Sequence, residues 1–447
     1  MKVKKDSGMF DTWVEPSDWR YSAAIVGLEK YLRYYGEKGI DYEITDEYLK
    51  FNASDITEEK YLLFVESYYQ DDFQHKQLEK LMNSGTYTSE TIKMANDLLK
   101  GNSIMKKVFK KIKFDGENQK EILTLIESNR MDLIRETFRN KSNMYANFAN
   151  TGQLFQEKKE CCRLWGYYID RGKKGKSISY QFDVNTFVSR DDCIFDFVPF
   201  AFTGDREAFF INDNYSVQEL IRTNADYESF LKMEVEESEG KTKDARKVLF
   251  KSIQEAADFL DYDVEVIVKN REDDFFQTMY IRRESIAILK KLKIYEPFCF
   301  SVPINNNYYL NVQKKVLECI LNLVRTDELI ELFLKKGSEY LVSRFIEINW
   351  LICGGGERMK QSMKVAYACA KEVVKNLPEN KRESYRQKLT SAIVFKDYDR
   401  CCQILLQLSN YTDVTFDFAY DLFEDFEENK DIAYTFINAL TKKKDNN

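Results

Sequence analysis

The chain has 447 residues, of which 44% are hydrophobic and 32% are charged, enough for two or three domains with packed cores. Its formal net charge of -7 excludes a uniformly basic surface that coats nucleic acid, but it leaves room for a local basic site. The 5 prolines and 17 glycines are too few for a disordered or fibrous chain.

The first 160 residues carry mostly helical patterns. Ser17 is expected to cap a helix that begins at Trp19 and ends near Gly36. Residues 42–44 and 48–51 predict a short hairpin, and Thr57 opens a long helix that closes at residues 83–85. Further helices are predicted at residues 94–99, 104–112 and 122–138.

Between residues 160 and 310 the hydrophobic period changes toward two, which is typical of strands. Ser216 and Glu219 form a capping-box pattern that opens a helix within this region. Strand pairs are predicted at 164–169 with 178–182 around a glycine-rich tip, at 194–203 with 208–211 around a turn at 204–206, and at 264–268 with 276–281. Residues 234–243 have the composition of an exposed loop.

Beyond residue 310 the pattern is helical to the end. The predicted helices are 311–324, 327–335, 338–352, 357–377, 381–393, 396–409 and 415–440, and their short connections favour an antiparallel bundle. The sequence therefore predicts an α+β protein. Its mixed helical and β body covers residues 1–310, helical to about 160 and strand-rich from there, and a C-terminal helical bundle covers residues 311–447.

The sequence offers little for enzymatic chemistry. His75 is the single histidine and is expected on the exposed face of a helix, so a histidine-rich metal site is excluded and a catalytic triad would depend on this residue alone. The glycine motifs of phosphate loops, dinucleotide sites and nucleophile elbows are absent. Acid pairs such as Asp71 and Asp72 are adjacent and point apart on a strand, which makes a carboxylate metalloenzyme the least favoured hypothesis. We expect a protein that is not an enzyme and needs no cofactor.

The cysteines indicate a reducing compartment rather than a metal site. Cys161, Cys162 and Cys193 form no C-x-x-C pair, and Cys401 with Cys402 is expected inside a helical core. The N-terminus lacks the apolar stretch of a secretory signal, and no run approaches the ~18 apolar residues of a membrane span. We therefore predict a cytoplasmic protein with no metal.

Three cationic clusters are candidates for contact with nucleic-acid phosphates. They are Arg171, Lys173, Lys174 and Lys176 at a hairpin tip; Lys106, Lys107, Lys110 and Lys111 on an amphipathic helix whose buried stripe is Ile104, Val108 and Ile112; and Arg282, Arg283 and Lys290 where a strand enters a helix. Solvated turns and helix faces are the competing interpretation of each cluster.

Charge is also segregated in the C-terminal bundle. Residues 357–400 carry eleven cations against six anions, whereas residues 413–431 carry eight acids and one lysine. Such a basic face beside an acidic one is suited to a single nucleic-acid strand and a protein partner, although a bundle of mixed surface charge explains the pattern too.

A second start of translation is possible within the bundle. The codons of the three glycines at 354–356 can form a purine-rich ribosome-binding site in the messenger RNA, just upstream of Met359. Translation from Met359 would yield a product of 89 residues. A helix cap at Gly354 followed by a link is the alternative.

The layout as a whole resembles a known family. The carrying segments are a helix with Trp19–Leu28, the segment Tyr42–Leu49, the aromatic run Phe197–Thr203 that leads to Phe209–Asn214, and Tyr280–Ser285. With its helical C-terminal part, the chain resembles the large subunit of type I CRISPR surveillance complexes (Cascade), with I-B as the expected subtype. One branch of that family carries zinc-binding C-x-x-C pairs, which this sequence lacks.

The resemblance implies a non-catalytic subunit that recognises the protospacer-adjacent motif in invading duplex DNA, aids duplex opening, binds the displaced strand and helps to recruit a helicase-nuclease. The implied partners are CRISPR RNA, the target double-stranded DNA, the backbone subunits, the helicase-nuclease and a small subunit, which an internal start at Met359 would supply from this chain. Asn305 and Asn306 lie in a loop whose amides suit base edges, although a polar turn is the commoner use of such a loop. A cytoplasmic protein-interaction scaffold without a nucleic-acid role is the alternative function.

Overall fold

The computed structural model describes residues 10–85, 87–156, 163–165, 192–237, 248–249, 262–292, 298, 300–305 and 308–440. Within these residues helices predominate, and the strands form three small sheets. The predicted α+β class is thus confirmed.

Contacts divide the described residues into two compact units. Unit 1 contains the described residues up to 249 together with Val264–Tyr280, and unit 2 contains residues 262–263 and the described residues from Ile281 onward. Compactness alone does not fix where an independently folding domain ends. The boundary predicted at residue 310 therefore stays a prediction.

The elements up to residue 281 mix short strands with helices. The strands are β1 (Thr12–Val14), β2 (Glu43–Ile44), β3 (Leu49–Phe51), β4 (Thr203–Gly204), β5 (Glu207–Asn212), β6 (Val264–Asn270) and β7 (Gln277–Ile281). The helices are α1 (Trp19–Gly36), α2 (Glu58–Tyr68), α3 (Gln74–Asn83), α4 (Ser89–Leu98), α5 (Ser103–Phe109), α6 (Gln119–Ser128), α7 (Arg130–Asn140), α8 (Tyr145–Phe148) and α9 (Val217–Glu237).

The helices of this region begin and end at side chains that satisfy their terminal backbone groups. The carboxylate of Asp18, rather than the predicted Ser17, accepts a hydrogen bond from the Arg20 amide at 2.8 Å, and Thr57 caps α2 as predicted. Two predicted long helices are each broken in two. A 3₁₀ turn at Gln70–Asp72 separates α2 from α3, and the side chain of Asn129, bonded to the Leu125 carbonyl at 2.8 Å, lies between α6 and α7.

The core of unit 1 forms where α1 packs against a 3₁₀ helix at Cys193–Phe200. The two backbones approach so closely at Gly27 that an added Cβ would lie 2.0 Å from the Phe197 carbonyl oxygen. The strand predicted at 194–203 is therefore wrong over most of its length. Asp192 caps the 3₁₀ helix through the Ile194 amide at 3.1 Å, and Pro199 has no amide to give to a sheet.

Most of the other strand predictions for the described residues are confirmed. The hairpin at 42–51 forms from β2 and β3, with β1 pairing on the other side of β3. β4, β5, β6 and β7 are neighbours in that order, so the turn at 204–206 and the pair around residue 270 are both present. The Ser216 hydroxyl accepts from the Glu219 amide at 3.1 Å, which confirms the predicted cap. Residues 234–237 belong to α9, so the exposed loop predicted at 234–243 is wrong there.

Unit 2 contains one hairpin and a series of helices. The strands are β8 (Ser301–Asn305) and β9 (Tyr308–Asn311), and the helices are α10 (Arg283–Lys291), α11 (Val312–Asn322), α12 (Asp327–Lys336), α13 (Glu339–Ile352), α14 (Glu357–Asn376), α15 (Glu379–Val394), α16 (Tyr398–Thr412), α17 (Ala419–Glu424) and α18 (Lys430–Ala439). The predicted helices of the bundle are confirmed except the last, which is two helices. The Asn429 amide binds the carbonyls of Asp421 and Asp425 between them.

Candidate nucleic-acid interface

The lysines predicted at residues 106–111 lie together at the end of α5. The Asn102 side chain caps this helix through the Met105 amide at 2.9 Å, and Ile104, Met105 and Phe109 anchor it in a hydrophobic cluster. The helix ends at Phe109 rather than at the predicted Ile112. The buried stripe is therefore Ile104, Met105 and Phe109, since Val108 and Ile112 are only half-buried.

The four side chains Lys106, Lys107, Lys110 and Lys111 are all exposed, and none forms an ion pair with another described residue. Nearby cations behave differently, because Arg130 lies 2.6 Å from Glu66 and Arg135 lies 2.9 Å from Glu58. Within the described residues, no acid neutralises the charge of this lysine cluster, which therefore suits an anionic partner.

The second cationic cluster among the described residues lies on α10 and at the residue just before it. Arg282, Arg283 and Lys290 are exposed, while Ser285 between them is buried and donates to the Ile320 carbonyl at 2.8 Å. The Arg283 amide donates to Asp263 at 3.0 Å, which fixes the start of the helix. These cations lie in unit 2 and the α5 lysines in unit 1, so each cluster is a separate candidate contact.

The remaining predicted residues are placed in part. Asn305 is exposed as the last residue of β8, rather than within a loop, and Asn306 lies outside the described residues. Arg171, Lys173, Lys174 and Lys176 also lie outside them. Their contribution stays a prediction.

The described residues on either side of segment 166–191 are joined by a buried ion pair that sequence reasoning missed. The Arg163 guanidinium donates to both carboxylate oxygens of Asp196 at 2.8 Å, and both side chains are at most 2% exposed. Tyr145 donates to the same carboxylate at 2.5 Å and Tyr61 to the Asp196 carbonyl at 2.6 Å. Burial raises the pKa of both tyrosines well above the usual value. No sequence motif indicates such an ion pair, because Arg163 and Asp196 are far apart in the sequence.

His75 is buried and not exposed as predicted. Its Nε2 lies 2.8 Å from the Glu66 carboxylate, and Arg130 reaches the same carboxylate from α7. Burial opposes ionisation of Glu66, but the hydrogen bond with His75 and the charge of Arg130 outweigh it and lower the pKa of Glu66. The histidine joins α2 to α3 and has a structural role.

Met359 lies in the first turn of α14 and is half-buried. Gly354 and Gly355 precede it with φ angles of 86° and 71°, which only glycine adopts readily, so the predicted break after α13 is confirmed. Many cations of the C-terminal basic segment are paired within their helix, as Arg386 is with Glu383 at 2.9 Å.

Cys401 is buried and Cys402 half-buried, as expected for helix packing, and burial raises the pKa of both thiols. In the part of the chain that the structure describes, no group of histidine, cysteine and acidic side chains is placed to hold a metal ion. Nor is any helix there long and apolar enough to cross a bilayer.

The sequence model of the family described as CRISPR-associated protein Csx8 matches residues 10–240 and 228–440. These matches cover nearly the whole chain. The chain therefore belongs to this family of CRISPR-associated proteins. No curated protein and no solved structure matches it. The predicted CRISPR association is thus confirmed.

Proposed function

We propose that this CRISPR-associated protein is the large subunit of a Cascade-type, RNA-guided surveillance complex, with I-B as its subtype, and that it is not an enzyme. It recognises the protospacer-adjacent motif in duplex DNA, aids duplex opening and recruits the helicase-nuclease. CRISPR RNA and the backbone subunits are its partners, and it acts in the cytoplasm. The observation that carries the proposal is the exposed lysine cluster of α5, built into a chain of this family.

Electrostatic repulsion among the α5 lysines supports the proposal. Four lysines within six residues repel one another, and an intramolecular role would bring acids beside them, as Glu66 lies beside Arg130. Binding to a DNA backbone releases condensed counterions, and this release favours the binding of such a cluster at physiological salt. Cations of this kind position the duplex, whereas base recognition requires side chains such as Asn305.

Duplex binding tests the proposal. The variant K106Q/K107Q/K110Q/K111Q is expected to bind a motif-containing duplex more weakly than the native protein and with a flatter salt dependence, by about 0.9 in log–log slope for each lost phosphate contact. The same lysines changed to arginine are the matched control, since they keep the charge. The variant R171Q/K173Q/K174Q/K176Q tests the hairpin-tip prediction in the same titration. Unchanged affinity across the salt range would remove the corresponding cluster from the interface.

A protein-interaction scaffold is the second candidate, and one surface favours it. Tyr420 is 75% and Phe423 is 44% exposed on α17, within the acid-rich region 413–431. Exposed aromatic side chains among acids suit a cationic protein partner better than a phosphate backbone. Affinity purification of the native complex separates the two candidates: co-purifying short RNA with repeat-derived ends supports the surveillance complex, whereas protein partners without RNA support the scaffold.

The internal start at Met359 supplies a proposed small subunit. A product of residues 359–447 contains Asp431 but not Arg325 or Asn349, which contact that buried carboxylate in the full chain. The product therefore needs another partner to cover α18. Changing Met359→Leu is expected to abolish a short C-terminal product in an immunoblot, and persistence of the product would contradict the internal start.

A further inference from the structure

A groove of about 720 Å³ lies among α13, α14 and α18 of unit 2. One wall is a stripe on α14 formed by Lys360, Lys364, Tyr367 and Lys371, which recur at helical spacing and so share a face. At a rise of ~1.5 Å per residue, the stripe is about 16 Å long. Tyr340 of α13 stands on the opposite wall.

The two tyrosines are exposed although they line a concave surface. Tyr340 is 57% exposed and Tyr367 is 49% exposed, so neither side chain is buried in the core. The Lys371 ammonium lies 5.3 Å from the centre of the Tyr367 ring, and it donates to the Ala439 carbonyl at 3.0 Å. The ammonium therefore lies over the Tyr367 ring, and about half of the tyrosine side chain remains exposed for stacking.

The charge of the groove is carried mainly by α14. Lys364 is exposed and forms no ion pair with any residue that the structure describes. The Lys360 ammonium lies 5.0 Å from the centre of the Trp350 ring. Its distance to the Glu357 carboxylate is 3.9 Å, which is long for an ion pair, and both side chains are exposed, so the pair is weak. On the other wall, Glu347 is already paired with Arg344, and Glu339 is a second acid that lines the groove. The lysine stripe therefore presents net positive charge along its length.

We propose that this groove binds single-stranded nucleic acid, with bases stacked on Tyr340 and Tyr367 and phosphates along the lysine stripe. A strand without a complement offers base faces and phosphates at the same time, which matches alternating aromatic and cationic side chains. A duplex keeps its base faces inside the helix and would leave the tyrosines without a partner. An acidic peptide would satisfy the lysines but not the stacking surfaces. The inference rests on the proposed function, because it gives the displaced strand a site.

The test uses the full-length protein and two probes, a fluorescent twelve-nucleotide oligothymidylate and a duplex of the same length as the target site. The variant Y340L/Y367L keeps apolar side chains but removes the aromatic faces, and Y340F/Y367F is the matched control that keeps them. We expect the leucine variant to bind the oligonucleotide at least ten-fold more weakly and the duplex with unchanged affinity, while the phenylalanine variant binds both as the native protein does. K364Q should reduce the salt slope for the oligonucleotide by about 0.7.

Each other outcome overturns the groove proposal in a distinguishable way. If the leucine variant binds the oligonucleotide as tightly as the native protein while duplex binding persists, the groove is not the strand site and the proposed function stands. If the native protein binds a fluorescent acidic peptide, K364Q weakens that binding and the oligonucleotide does not compete for it, the occupant is a protein segment. If the native protein binds neither nucleic acid, alone or in its native complex, the groove proposal and the proposed function fail together.

Discussion

The two units each bury an ion pair, but they surround it differently. Among the described residues of unit 1, the Asp196 carboxylate faces one cation, Arg163, and it also accepts hydrogen bonds from neutral groups such as Tyr145. In unit 2 the Asp431 carboxylate lies 2.9 Å from Arg325, and Asp327 beside it is paired with both Arg325 and Lys430. The first is a single pair among the described residues, whereas the second is a network, since Lys430 also pairs with Glu427.

This difference determines how strongly the stability of each unit depends on a single side chain. A buried charge that loses its sole counter-ion is left uncompensated in a low dielectric, which is far costlier than the pair itself is stabilising. Lys430, which lies 2.8 Å from Asp327, also acts electrostatically on Asp431, so the loss of one cation in unit 2 leaves a second cation in place. Unit 1 should therefore be the more fragile of the two.

The largest expected effect comes from breaking the single pair. Arg163→Met leaves Asp196 buried without a cation, and we expect the opening free energy of α1 amides to fall by about 3–5 kcal/mol in hydrogen exchange. The double variant R163M/D196L replaces both charges with apolar side chains and is the control, expected to recover most of that loss. A single variant as stable as the native chain would show that the pair does not hold the core of unit 1.

The second effect is a pH dependence of the stability of unit 2. Burial raises the pKa of Asp431 to about 6, although Arg325 beside it acts in the opposite direction. A folded-state pKa above the unfolded value means that the contribution of this carboxyl to stability is complete below about pH 4 and is lost as pH rises through 6. The stability of the native chain relative to Asp431→Asn should therefore fall by on the order of 3 kcal/mol between pH 4 and 7, measured at α18 amides. A pH-independent difference would contradict the raised pKa.

The third effect measures how far the network compensates. Arg325→Met removes one cation, but Asn349 still donates to Asp431 and Lys430 still lies 2.8 Å from Asp327. We expect a loss of about 2 kcal/mol at α18 amides, smaller than the loss that Arg163→Met causes in unit 1. Arg325→Lys keeps the charge without the forked guanidinium and serves as the control. Equal losses in the two units would remove the distinction between a single pair and a network.

Sequence patterns predicted most helices of the bundle because local caps and breaks, such as Asp397 before α16 and Gly354 after α13, mark their ends. They failed at 194–203, where an apolar run looks like a strand but packs as a 3₁₀ helix against α1, a contact that depends on Gly27 far away in the chain. They failed again at His75, whose burial depends on Glu66 and Arg130. The α5 lysines could be predicted, since a charged helix face is local. The groove tyrosines could not, because Tyr340 and Tyr367 share a surface only after α13 and α14 have both packed against α18.

The smallest effect is expected at the surface, where Arg358 of α14 lies 2.9 Å from Asp421 of α17. Arg358 is 82% exposed, so water screens the pair and the arginine pays conformational entropy to form it. We therefore expect Arg358→Ala to leave the opening free energy of α14 and α17 amides unchanged within error. Asp421 also accepts a hydrogen bond from Ser362 at 2.6 Å, so its carboxylate keeps a partner in that variant. A clear loss of stability would show that cross-helix pairs at the surface, and not only the interior network around Asp431, hold the helices of unit 2 together.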